Sequence, residues 1–275
     1  MSEEKLHPKQ VEPSRHGEDA DPASLFEQYG RVSFSLDEKE IATIFMHDME
    51  GQNVFSHAFV EDFLSVLDAV EEIDPRVVIL RGLTSTFSGG ADKESLMELA
   101  SGKIVVRDLV ISERLINCRF PVISAMEGHA MGGGFVIALC SDIIIASREA
   151  RYGTVFMNMG FTPGMGTTTL LQGAVGSYIA NEMMFTGRRY KGRELAEKST
   201  NINYILPKKE VLAKAADLAL QIAEKNPKSV QLLKYSLAAP KKKLLTDARL
   251  QEDMMHALSF GYPETKKIID DLYAG

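Results

Sequence analysis

Two segments of this chain share a construction that narrows its fold more than any other feature. Phe87-Ser88-Gly89-Gly90-Ala91-Asp92 and Gly128-His129-Ala130-Met131-Gly132-Gly133-Gly134-Phe135 each follow a short apolar strand and each run straight into a helical pattern. Glycine lets backbone approach a ligand or another backbone closely. The start of a helix presents N–H groups that have no partner within the helix. Two such N–H groups aimed at one point make an oxyanion hole, and removing one donor from such a site costs about 2.7–4 kcal/mol. Neither segment has the G-x-x-x-x-G-K-[ST] spacing of a phosphate loop or the G-x-G-x-x-G of a dinucleotide site. Tight packing alone would explain one glycine loop, but is a weaker account of two built alike.

The pattern around these loops is that of a β/α core. Arg31–Asp37 and Ile41–His47 read as a hairpin about Glu38-Lys39-Glu40. Phe59, Phe63, Leu64, Val66, Leu67 and Val70 recur at helical spacing. VVILRG, VISAME and DIIIAS read as short buried strands, and helices are predicted near Lys93–Ala100, Val106–Asn117 and over FVIALC. Beyond Pro207 the character changes: VLAKAADLALQIAEK, SVQLLKYSLAA and LTDARLQEDMMHALSF are amphipathic helices without intervening strands. The chain is thus read as a polar, disordered leader over residues 1–28 with one turn of helix near Leu25, a core over 29–206 and a helical region over 207–275.

Composition sets limits on function. A chain of 275 residues, 45% hydrophobic and 25% charged, suits one large α/β domain with appendages. The formal net charge of -7 argues against nucleic acid as a partner. Cys118 and Cys140 both lie in apolar runs, so the cytoplasm is the expected compartment. No metal-ligand spacing is present, and no stretch approaches the roughly 20 apolar residues of a membrane span.

FSGGAD, EGHAMGGGFVIALCSDIIIAS and YGTVFMNMGFTPGMGTT together resemble the crotonase (enoyl-CoA hydratase/isomerase) superfamily, collinearly from about residue 31 to 273. The resemblance implies an α/β fold, a spiral of ββα units with a C-terminal helical region that builds trimers or paired trimers. Carried over by motif, the oxyanion donors are the N–H groups of Ala91 and Gly133.

Two departures from the family pattern bear on the reaction. Hydratases carry a glutamate two residues after the third glycine and another three residues after an aromatic-glycine pair. Val136 and Phe156 stand there. Hydration needs one group to activate water and another to deliver a proton, and neither side chain does so. An apolar wall instead favours the departure of a carboxylate as neutral carbon dioxide.

The segment ARLQEDMMHALSFGYPETKKII resembles that of decarboxylating homologues from polyketide β-branching cassettes, which pair a histidine there with a lysine after the first glycine loop. The resemblance makes His256, in E-x-x-M-H-x-x-x-F, the catalytic histidine. For the lysine it points to Lys103 in L-A-S-G-K, with Lys93 as the alternative. His129, His47 and His57 are read as structural, and His7 and His16 as solvated. Arg188, Arg189, Lys191 and Arg193, and separately Lys241 to Lys243, are solvated basic faces or contacts for phosphates.

The implied reaction is decarboxylation of a 3-methylglutaconyl-type thioester held on an acyl carrier protein. No metal or organic cofactor is expected, because the extended thioester is itself the electron sink and the substrate brings its own phosphopantetheine or CoA. An isomerase or thioesterase acting on CoA esters, or a homologue without catalysis, are the alternatives.

Overall fold

The computed structural model describes residues 25–273. Most of the expected leader lies outside the described residues. Its last part does not: β1 (Leu25–Tyr29) is a strand, not a turn of helix, paired antiparallel with β2 (Val32–Leu36). Tyr29 packs on the core, which anchors this edge strand. The chain continues through β3 (Ile41–Met46), α1 (His57–Ile73), β4 (Val77–Arg81), β5 (Thr86–Ser88), α2 (Lys93–Ser101), α3 (Ile111–Asn117), β6 (Val122–Met126), β7 (His129–Met131), α4 (Gly133–Leu139), β8 (Ile143–Ser147) and β9 (Arg151–Gly153). It ends through α5 (Thr167–Val175), α6 (Ser177–Thr186), β10 (Tyr190–Lys191), α7 (Gly192–Glu197), β11 (Tyr204–Leu206), α8 (Lys208–Ala223), α9 (Pro227–Ser259) and α10 (Pro263–Leu272).

The strands form two sheets, one of seven in the order β1-β2-β3-β4-β6-β8-β11 and one of four in the order β10-β9-β7-β5. The chain passes repeatedly from the large sheet to the small one and then into a helix: β4, β5, α2, then β6, β7, α4, then β8, β9, α5. That is the spiral of ββα units that the resemblance implies. The inner strands of the large sheet are mostly apolar because both faces are covered. One face meets the main core. Ile79, Ile123 and Ile145 on the other pack against Val211, Ala215 and Ala219 of α8.

Local chemistry sets the element ends. Ser56 caps α1, its hydroxyl accepting the Phe59 N–H, and Phe59, Phe63, Val66, Leu67 and Val70 are buried along one face. Burying each of these side chains contributes roughly 1.5–3 kcal/mol. The helix predicted over Val106–Asn117 is broken. A 3-10 turn spans Val106–Leu109, Val110 takes a left-handed φ of 45°, and only then does α3 begin.

The two helices predicted after Pro227 are one, α9, with Pro240 inside it. A proline removes one backbone bond and crowds the preceding turn, but inward polar contacts hold α9 on both sides of it. The Lys234 ammonium reaches both Asp142 oxygens at 2.8 and 2.7 Å, and that of Lys241 donates to the carbonyls of Leu139 and Ser141 at 3.2 and 2.7 Å. Arg249 pairs with Glu113 at 2.7 Å.

Candidate active site

The two glycine loops meet because β5 and β7 are parallel neighbours, with Thr86 opposite His129 and Ser88 opposite Ala130. Gly90 has a φ of +91°, and a Cβ there would stand 2.7 Å from the Met131 carbonyl oxygen. Only glycine permits that approach. The Gly90 carbonyl accepts the Phe55 N–H at 2.6 Å, which fixes the first loop against the start of α1. Neither the Ala91 nor the Gly133 N–H has a hydrogen-bond partner among the described residues. Both residues line one cavity of about 330 Å³.

The rest of that cavity is mostly apolar. Phe55, Leu96, Leu99, Val106, Leu109, Met131, Phe156, Phe161 and Met165 contribute, and among the described residues no aspartate or glutamate lines it. Phe156 forms a wall, edge-on to Phe161 at 5.9 Å between ring centres. Val136 does not line the cavity. It is fully buried on α4, so of the two apolar replacements only Phe156 faces the site.

His256 comes from α9 and lines the same cavity as Ala91 and Gly133, although well over a hundred residues separate it from either loop. Its Nε2 lies 2.8 Å from the carbonyl oxygen of Thr162. A carbonyl only accepts, so Nε2 carries the hydrogen in the neutral ring. Nδ1 then has no protein partner among the described residues. The ring packs on Phe161 and Phe260 and lies against Gly164, where any Cβ would collide with Cε1. Burial holds the His256 pKa below its ordinary value, opposed by the Thr162 bond and the charges of Glu252 and Asp253, while Arg249 lowers it further. The imidazole is therefore neutral at pH 7.

Neither lysine candidate lines the cavity. The Lys103 ammonium, on a side chain 70% exposed, pairs with Glu98, whose other oxygen meets His57 Nε2 at 2.6 Å. Lys93 pairs with Asp270 of α10 at 3.0 Å. The expectation that Lys103 points in beside Ala91 and Gly133 is not met. The physical reason is charge: Glu98 offers an anion to the ammonium, and the apolar lining offers none. Glu98 in turn is held below the usual carboxylate range, by Lys103 first and then by His57.

The remaining candidates are structural or turned elsewhere. His129 Nδ1 accepts the Arg151 N–H at 2.9 Å, outside the cavity. Arg188 pairs with Glu182 and Glu194, whereas its neighbour Arg189 lines the cavity. Lys241 faces inward onto backbone carbonyls. Among the described residues no group of three or more His, Cys, Asp or Glu is arranged to hold a metal, and no helix is long and apolar enough to cross a membrane.

Sequence reading took Phe161 to Met165 only as part of the family motif and missed its role, which is to carry the Thr162 carbonyl and the floor under the His256 ring. It also missed Tyr273, which lines the cavity and donates its hydroxyl hydrogen to the Ala91 carbonyl at 3.1 Å. The signal for the loop was present in its Pro163-Gly164-Met165-Gly166 turn residues. Nothing local marks Tyr273.

Known proteins resemble this chain in sequence and in fold. A profile described as enoyl-CoA hydratase/isomerase matches residues 37–270. The bacillaene synthase decarboxylase PksI of Bacillus subtilis is 36% identical over 238 residues, covering 86% of this chain and 95% of that one. A putative enoyl-CoA hydratase of Thermus thermophilus is 31% identical over 212 residues, 74% of this chain and 83% of that one. A protein solved in a study of a dehydratase/decarboxylase couple of polyketide β-branching superposes with a TM-score of 0.87 at 34% identity, over 90% of this chain and all of that one. The ECH2 decarboxylase domain of CurF from Lyngbya majuscula gives 0.83 at 34% identity, over 88% of this chain and 99% of that one. The chain belongs to the enoyl-CoA hydratase/isomerase family, and it shares about a third of its residues with members of that family named as decarboxylases of polyketide biosynthesis.

Proposed function

We propose that this protein decarboxylates a 3-methylglutaconyl-type acyl thioester carried on an acyl carrier protein, giving a β-methyl enoyl thioester in polyketide β-branching. The observation that carries the reading is the composition of one cavity: two unpartnered N–H donors, one histidine and, among the described residues, no carboxylate. The kinship with named decarboxylases supports it.

In the reaction, the bond from the γ-carbon to the carboxylate breaks and carbon dioxide leaves. The bonding electrons spread through the double bond to the thioester oxygen, where the Ala91 and Gly133 N–H groups stabilise the charge. The dienolate then takes one proton at its α- or γ-carbon. His256 starts neutral with its hydrogen on Nε2, so the transferable proton is carried on Nδ1. A substrate carboxylate in the cavity favours that protonation by placing a negative charge beside the ring.

Lys103 remains the candidate partner for the substrate carboxylate, by exchange of Glu98 for that anion. It stands four residues after Leu99 and three before Val106, both of which line the cavity. Lys103→Ala is expected to raise KM for the carboxylated substrate at least tenfold while leaving affinity for the decarboxylated product within about twofold, as lost pairing with one charge requires. An unchanged KM would remove Lys103 from the site.

The outer face of α9 supports self-association as a trimer or paired trimers. Leu232, Leu233, Tyr235 and Leu237 are each more than half exposed there.

The reading is tested with three thioesters. The pure protein should add no water to crotonyl-CoA above background. It should release carbon dioxide from the 3-methylglutaconyl thioester, faster on the carrier protein than on CoA. Robust hydration of crotonyl-CoA would refute the proposal.

A further inference from the structure

Glu252, the glutamate of the E-x-x-M-H motif, has no place in the reaction just described, yet it is among the most deeply buried charged groups of the molecule, with 1% of its surface exposed. It precedes His256 by four residues on α9, so the two side chains leave the helix on one face. Its Oε2 accepts the Gly166 N–H at 2.7 Å, and Oε1 accepts the Thr168 N–H at 3.0 Å and the Thr168 hydroxyl at 2.8 Å. All three partners donate, the arrangement expected of a carboxylate.

Those donors belong to the loop that seats His256. Gly166 precedes the first residue of α5 and has no side chain to cap it, so the cap comes from α9 instead. Met165 lines the cavity with a φ of +62°, a conformation in which a non-glycine residue is strained, and persists only where its surroundings enforce it. Ser112 donates to its carbonyl at 3.2 Å from one side, and Glu252 holds the next N–H from the other. Earlier in the same loop, Thr162 receives the His256 Nε2 hydrogen and Gly164 lies against the ring. One helical face therefore grips the loop twice, through Glu252 at its end and through His256 at its middle. A carboxylate withdrawn from water is costly unless fully paired, and simple packing at this position would not call for one.

We propose that Glu252 is a positioning residue. By locking the loop from Phe161 to Thr168 against α9, it fixes the orientation of the His256 ring and its Nε2–H tautomer, leaving Nδ1 as the nitrogen that exchanges a proton with substrate. The consequence for turnover rests on the reading that His256 acts in the decarboxylation; the effect on tautomer does not.

The test is Glu252→Gln, followed by nitrogen-15 NMR of the histidine ring and by steady-state kinetics on the 3-methylglutaconyl thioester. The amide turns an NH2 group toward either the Gly166 N–H or the Thr168 pair, so one side of the grip is lost. In the wild type the neutral His256 ring should show the Nε2–H form. In the variant that form should give way to a mixture, and the ring should titrate lower still. The kcat should fall on the order of tenfold to a hundredfold with KM within about threefold, since small misplacement of a reacting group costs rates of that size. Thr168→Val keeps two of the three bonds, and should move both readouts the same way by a smaller factor. It decides the matter should Glu252→Gln fail to fold. A folded variant with the wild-type tautomer overturns the proposal whatever its rate. Full activity in His256→Gln would instead overturn the catalytic reading, and the tautomer would still decide the role of Glu252.

Discussion

His256→Ala should lower carbon dioxide release by roughly 10²–10⁴, the usual contribution of a positioned proton donor. Among the described residues, His256 is the one side chain lining the cavity that can exchange a proton near neutral pH. Arg189 lines it too, but a guanidinium holds its proton throughout. The substitution leaves space against Gly164, Phe161 and Phe260 and removes a bond to the Thr162 carbonyl. Stability must therefore be measured alongside rate. The check is release of labelled carbon dioxide by folded protein, with binding of the decarboxylated product as a second reading. A rate within a few-fold of wild type would mean that water, not His256, delivers the proton.

Gly133→Pro should cost a factor on the order of a hundred or more, because it deletes one of two donors to the developing oxyanion. The substitution suits the backbone. Gly133 is the first residue of α4, where a missing N–H breaks no bond within the helix and proline is well tolerated. It does add atoms: a Cβ at Gly133 would stand 2.7 Å from Phe55 Cε2 and 2.9 Å from Met165 Sδ. Gly133→Ala brings the same Cβ but keeps the N–H, so it controls for the contacts of that Cβ with Phe55 and Met165. Equal rates in folded alanine and proline variants would show that the Gly133 N–H does not carry the charge.

The sequence was most legible where the signal was local. The Phe59-to-Val70 spacing marks a helix found over His57–Ile73, and the apolar runs of β4, β6 and β8 declare strands covered on both faces. The glycine loops announced their N–H groups because only glycine allows Gly90 to lie against Met131. Legibility failed where long-range contacts decide. Two helical segments were read where there is one helix, because Lys234, Lys241 and Arg249 hold α9 on both sides of Pro240. Val136 and Phe156 are equivalent in sequence and differ in space, one sealed in the core and the other facing the cavity. Lys103 was placed by resemblance, and resemblance cannot show that Glu98 takes its ammonium. The role of the loop under His256 was not legible because its task, a carbonyl at Thr162 and an absent side chain at Gly164, is performed by backbone.

Loss of carbon dioxide through a dienolate held by Ala91 and Gly133 can be followed by mass spectrometry of the carrier-bound acyl group. Wild-type protein is incubated in deuterated water with 3-methylglutaconyl carrier protein and, in parallel, with its saturated 3-methylglutaryl analogue. The unsaturated substrate should lose one carbon dioxide and gain one deuterium, while the saturated one, which cannot pass electrons to the thioester, should remain intact. An unsaturated substrate that stays whole or gains water, or a saturated one that loses carbon dioxide equally fast, would contradict the account.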